Sequence, residues 1–156
     1  MGMRRLLYVA VSAVSLGGCV VATPFRGPGQ DVTAGSSELV LSLTQATLND
    51  DSRARAVFWD YVDRVETSLE DQPGFVGFSK RTELFGDNAW TMTVWSDAES
   101  LQAFVESEPH RAAMRNAMGA LADARFVRVT IGRDELPVTW ERALELLERQ
   151  GRQYYE

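Results

Sequence analysis

Leu39, Leu41 and Leu43 alternate with Val40, Ser42 and Thr44, a period of two that predicts a strand with one aliphatic side. The period then changes. Over 53–70, Val57, Phe58, Tyr61, Val62, Val65 and Leu69 recur on one helical stripe, with Asp50-Asp51-Ser52 supplying N-cap residues and Pro73-Gly74 a stop. Phe75 to Phe85 and Ala89 to Trp95 read as two strands joined across a tight turn at Gly86-Asp87-Asn88. Ser96 and Glu99 have capping-box spacing before a helix bearing Leu101, Phe104 and Val105. Ser107-Glu108-Pro109 opens another helix, running through Met114, Met118 and Leu121. Val127, Val129 and Ile131 mark a fourth strand, and Thr139 caps a last helix with Trp140, Ala143, Leu144 and Leu147 on its inner side. The order strand, helix, strand, strand, helix, strand predicts an α+β fold: a ferredoxin-like split βαβ unit, a four-stranded antiparallel sheet, and an appended C-terminal helix.

Side chains of period two point to opposite sides of a sheet. One set gathers Leu39, Leu41, Leu43, Trp90, Met92, Val94, Val127, Val129 and Ile131, and is expected under the helices. The other is mixed: Ser42, Thr44, Ser79, Arg81, Thr91, Thr93, Trp95, Phe126, Arg128 and Thr130. Aromatics among hydroxyls and arginines suit a lined cavity or a wet interface, so this side is expected to be buried in a homodimer. A solvated face with stray aromatics is the alternative.

The first residues change the picture of where such a domain resides. Arg4 and Arg5 precede Leu6 to Leu16, an apolar run about half as long as the roughly 20 residues of a membrane-crossing helix and suited to a signal peptide. It ends in Leu16-Gly17-Gly18-Cys19, which resembles the box cut by lipoprotein signal peptidase. The resemblance implies a signal at 1–18, a lipid-bearing Cys19, and a bacterial envelope protein held to its membrane with the domain outside the cytoplasm. Residues 20–37, rich in Gly, Pro, Ser and Thr, read as a flexible tether, leaving 38–156 as one domain. Cys19 is the sole cysteine, so no disulfide can form within one chain.

The formal charge is −6, and removing Arg4 and Arg5 with the signal takes it to −8. An acidic chain without a basic run is a poor nucleic-acid binder, because phosphate contacts supply most of that affinity. His110 is the only histidine, which excludes a histidine-based metal site within one chain, and no Gly-x-Ser-x-Gly elbow occurs. No metal or cofactor is expected. His110 could serve as a general base or ligand contact, or make a local hydrogen bond in the first turn of its helix. Glu106 and Glu108 stand close enough in sequence to raise its pKa, and a solvated helix start accounts for them equally well.

Three stretches carry a family resemblance: Pro73-Gly74-Phe75-Val76, then Ala89 to Phe104 with Trp95 at the end of its strand, then Ser107-Glu108-Pro109-His110 through Met114. Together they resemble the antibiotic biosynthesis monooxygenase superfamily. The resemblance implies a ferredoxin-like half that pairs with a second copy into a dimeric α/β barrel enclosing apolar cavities. It also implies cofactor-independent oxygenation of polycyclic phenols and quinols, or oxidative heme degradation. His110 falls on the family's histidine and Trp95 on its strand-end aromatic. The Trp and His of the heme-degrading members fall near Phe104 and Met114, and their first-strand Asn has no counterpart over 39–47, so heme degradation is disfavoured. The expected site is therefore His110 as base, with Trp95, Thr91, Thr93 and Arg128 around a hydrophobic or aromatic small molecule. A non-catalytic module that binds such a ligand or merely dimerises is the alternative.

Overall fold

The structure, a computed structural model, describes residues 19–28 and 37–154. The Arg pair, the apolar run and Leu16-Gly17-Gly18 lie outside them. Ten elements follow in order: β1 (Val20–Ala22), β2 (Glu38–Leu48), α1 (Ser52–Ser68), β3 (Phe75–Glu83), β4 (Asn88–Trp95), α2 (Ala98–Glu106), α3 (Glu108–Ala117), β5 (Leu121–Gly132), α4 (Trp140–Gln150) and β6 (Arg152–Gln153). The strands form one sheet in the order β1-β3-β4-β2-β5-β6, antiparallel throughout. Its four central strands are the ferredoxin-like set that the pattern predicts; the sheet has six strands because a short strand is added at each edge.

Local chemistry sets the element ends. Asp51 caps α1 by accepting from the backbone N–H groups of Arg53 and Ala54 at 2.9 and 3.1 Å. Asp97, rather than Ser96, caps α2, accepting from Ser100 N at 2.7 Å while the Ser96 hydroxyl donates to it at 2.6 Å. Thr139 caps α4 through Arg142 N. Gly74 turns the chain from α1 into β3 with φ of 73°, and a Cβ there would run into the Ser96 and Ser100 hydroxyls. Met118 and Leu121 depart from the expected helix, the first in a 3₁₀ turn at Met118–Ala120 and the second at the start of β5.

The expected tether is partly structured. Val20, Val21 and Ala22 pair with Glu83, Thr82 and Arg81, and Arg26 exchanges two backbone hydrogen bonds with Phe78 at 2.8 and 2.7 Å. The Phe25 ring lies over Gly77, where a Cβ would collide with it. Residues 29–36 lie outside the described segments.

The two sides of the sheet are covered in the opposite sense to the one the pattern suggested. The aliphatic side, with Leu41, Leu43, Met92 and Val94 wholly buried, packs against Val138 and the Ala143, Leu146 and Leu147 stripe of α4. The mixed side lies under α1, α2 and α3. Both sides are therefore covered by the chain's own helices, the mixed one incompletely, since Arg128 and Thr130 of β5 stay exposed there. Side chains that fit flatly, as aliphatics do on a one-helix lid, leave no void, and each such burial contributes about 1.5–3 kcal/mol. The mixed side has hydroxyls and charged stems that cannot close against the helices in this way, and a cavity remains there.

Candidate functional site: a cavity under the helices

The cavity, of about 340 Å³, has the sheet as floor and α1, α2 and α3 as roof. Ser42 and Thr44 of β2, Thr91 and Thr93 of β4, Phe78 and Lys80 of β3, and Phe126 and Arg128 of β5 line the floor. Phe58, Val62 and Val65 of α1, Phe104 of α2, and His110 and Met114 of α3 line the roof. Its size and mainly apolar wall with a few polar groups are those of a small-molecule pocket.

His110 is half-buried, and its Nδ1 lies 3.0 Å from the carbonyl oxygen of Val105, which can only accept. Nδ1 must therefore carry the ring proton and donate it, which leaves Nε2 with a free lone pair. Burial lowers the His110 pKa below 6.5; the Val105 carbonyl opposes this and the charge of Arg128 adds to it. The ring is neutral at neutral pH and can take up a proton. Of the two readings of Glu106 and Glu108, the solvated helix start holds: neither raises the His110 pKa, because both carboxylates are engaged elsewhere. Glu108 pairs with Arg115 at 2.7 Å, which holds its carboxyl below the usual range, and Glu106 accepts from Gln102 at 2.7 Å. Burial then decides the shift.

Arg128 is exposed, with its guanidinium 5.8 Å from the Phe126 ring centre, and it has no ion pair among the described residues. Lys80 is differently placed. Burial works against its charge, but Glu66 at 2.6 Å and Asp63 at 3.3 Å outweigh burial and raise its pKa, so it stays an ammonium inside a local pair. Two guanidinium groups at the wall have no ion pair among the described residues, Arg81, which lies over the Trp90 ring, and Arg128, and they favour an anionic group on a bound molecule.

Four of the five expected residues, His110, Thr91, Thr93 and Arg128, meet at the cavity. Trp95 does not line it. Its side chain is wholly buried, donates from Nε1 to Thr93 Oγ1 at 2.9 Å, and stacks on Phe104 with ring centres 4.8 Å apart. Trp95 thus braces two lining residues from behind. Sequence reasoning missed Lys80 with Glu66, and it placed Met114 on its helix without assigning it to the site. The signal for Met114 was its place four residues after His110, one helical turn along the same face. Among the described residues, no group of three His, Cys, Asp or Glu side chains could hold a metal ion, and no helix is long and apolar enough to cross a membrane.

Residues 53–116, which run from α1 into α3 and hold most of the cavity roof, match the family of antibiotic biosynthesis monooxygenases. The match covers less than half of the chain. Solved structures agree on the ferredoxin-like fold. A Nitrosomonas europaea protein proposed to be an antibiotic biosynthesis monooxygenase superposes with a TM-score of 0.54 at 13% identity, over 67% of this chain and 96% of its own. A conserved Methanosarcina mazei protein gives 0.53 at 10%, over 60% and 92%. A Lactobacillus acidophilus protein proposed to be a monooxygenase gives 0.51 at 18%, and this chain, matched over 63%, spans about half of it (49%). At these identities the likeness establishes the fold. No curated protein matches the chain.

Proposed function

We propose that the domain is a cofactor-independent monooxygenase for an aromatic phenol or quinol, held at the bacterial envelope through a lipid on Cys19. The observation that carries the enzymatic part is the neutral His110, whose Nδ1 is committed to Val105 and whose Nε2 is free, in the wall of a mainly apolar cavity. Nε2 accepts the phenolic proton, and Arg128 stabilises the phenolate that forms. The electron-rich ring then transfers electrons to O₂. One oxygen atom becomes a carbonyl on the ring carbon and the other leaves as water, so the substrate supplies every electron. A dry cavity favours this sequence by limiting leakage of reduced oxygen.

The test is oxygen uptake and product analysis with a panel of polycyclic phenols and hydroquinones. Wild type should give one quinone and one water per O₂, and His110→Ala should slow turnover by about 10²–10⁴-fold. Turnover unchanged by His110→Ala removes the residue from the mechanism. The alternative, a binding-only module, is favoured by the small number of ionisable groups at the wall. It predicts saturable binding of the same compounds with no oxygen consumed.

The homodimer stays a proposal with a changed interface. With α4 packed on the aliphatic side and α1, α2 and α3 on the mixed side, a second copy would meet the outer face of α4 or the edge strands β1 and β6.

A further inference from the structure

We propose that the β3–β4 turn, Leu84-Phe85, is a membrane-inserting tip that works beside the lipid on Cys19 and fixes the domain's orientation on the lipid surface. The inference rests on the reading of Cys19 as the lipidated residue. Phe85 is 88% exposed and Leu84 55%, an unusual placement for two large apolar side chains in succession. They stand next to Cys19: the backbone N–H of Leu84 donates to the Cys19 carbonyl at 2.9 Å, and Val20 pairs with Glu83. Val20 and Val21, also exposed, extend the apolar corner along the edge strand.

The turn is held in shape, and its charges are used inward. Glu83 accepts from the backbone and side-chain nitrogens of Asn88 at 3.2 and 3.0 Å. Asp87 pairs with Arg55 of α1 at 2.7 Å, and its carbonyl accepts from Leu48 N at 2.8 Å. Leu84-Phe85-Gly86 is thus left as an uncharged protrusion on a rigid base. Two exposed apolar side chains on a fixed hairpin would be costly in water, whereas acyl chains on the adjacent Cys19 would place this corner at a bilayer by covalent necessity. A lipid surface is therefore the occupant the geometry fits. Val21, which lines the cavity, lies on the same corner, so an inserted tip keeps the cavity close to the membrane from which an apolar substrate would partition.

Because Cys19 is the sole cysteine and is blocked when acylated, a new thiol can be labelled alone. Full-length lipidated protein carrying Phe85→Cys, or Leu84→Cys so that Phe85 is kept, is labelled with a nitroxide and placed on phosphatidylcholine–phosphatidylglycerol vesicles. Glu148→Cys, exposed on α4, is the control. The label at 84 or 85 should collide with oxygen several-fold more, and with a water-soluble nickel chelate several-fold less, than the label at 148. Equal chelate access at all three positions, in protein whose mass shows an acylated Cys19, overturns the tip alone. A mass showing Cys19 unmodified overturns the lipoprotein reading and the tip with it.

Discussion

Ser79→Ala tests how the far side of the sheet is locked. The Ser79 hydroxyl is 1% exposed and joins two segments remote in sequence: it donates to the Thr23 carbonyl at 2.7 Å and accepts from Trp140 Nε1 at 3.0 Å. It thereby ties the chain leading from β1 to the start of α4, across β3. Alanine fits the space, so no cavity of consequence forms; the loss is that of two hydrogen bonds, with a carbonyl and an indole N–H left behind. Each such orphaned group costs about 1–3 kcal/mol when buried. Trp140 is half-buried and water can reach part of its edge, so the lower half of the range applies and the expected total is about 2–3 kcal/mol. In urea unfolding followed by tryptophan fluorescence, with a slope of about 1–3 kcal/mol/M, the midpoint should fall by about 0.7–3 M at unchanged slope. A double-mutant cycle with Trp140→Phe should return a coupling of about 1 kcal/mol. A loss under about 0.5 kcal/mol with no coupling would refute the link between α4 and the N-terminal segment.

Other substitutions follow from the cavity. Thr93→Arg forces a long charged side chain into the space under α1 and α2; it should cost about 1–3 kcal/mol or more and abolish ligand binding. Its sedimentation coefficient should equal that of wild type, since Thr93 is buried beneath the chain's own helices. Arg128→Gln should weaken binding of phenolates measured by calorimetry while sparing a neutral aromatic of the same shape; equal losses for both would remove the charge argument. His110 also leaves a signature in stability. Its folded pKa lies below 6.5, so above that pH both states are neutral and it adds no pH dependence. As the pH falls through 6.5 the unfolded chain binds the proton first, and stability declines until the folded ring also protonates. His110→Gln should remove this component from a comparison of unfolding midpoints at pH 8 and pH 5.

The order of elements was legible in the sequence because each long segment has one clear period, and the caps at Asp51 and Thr139 were visible as well. The faces were not. Ser79 and Arg81 pair with Met92 and Trp90, on the aliphatic side, because the hairpin turns over four residues, Leu84 to Asp87, rather than three. That difference reverses the parity of the pairing, and a register shift between Phe75 and Gly77 alters it again. Period two also shows which side of a sheet is more apolar, not which helices cover it. When both sides are covered, the more aliphatic one is the better packed and the less apolar one holds the space. The edge strands β1 and β6, of three and two residues, are too short to show a period. Four of the five expected cavity residues were legible because they sit on alternating strand positions or at a helix start. Lys80 and Glu66 were not, since their meeting depends on how α1 crosses β3.

The central claim, a neutral histidine in the wall of a ligand-binding cavity, can be read from one nucleus. His110 is the only histidine, so in an untagged chain the Cε1–H resonance of its imidazole is assigned without mutation. Titrated with pH and with a bicyclic phenol, that resonance should show a midpoint below 6.5 and should shift saturably as the phenol binds. A midpoint at the ordinary histidine value, with no shift while the phenol demonstrably binds, would contradict the account.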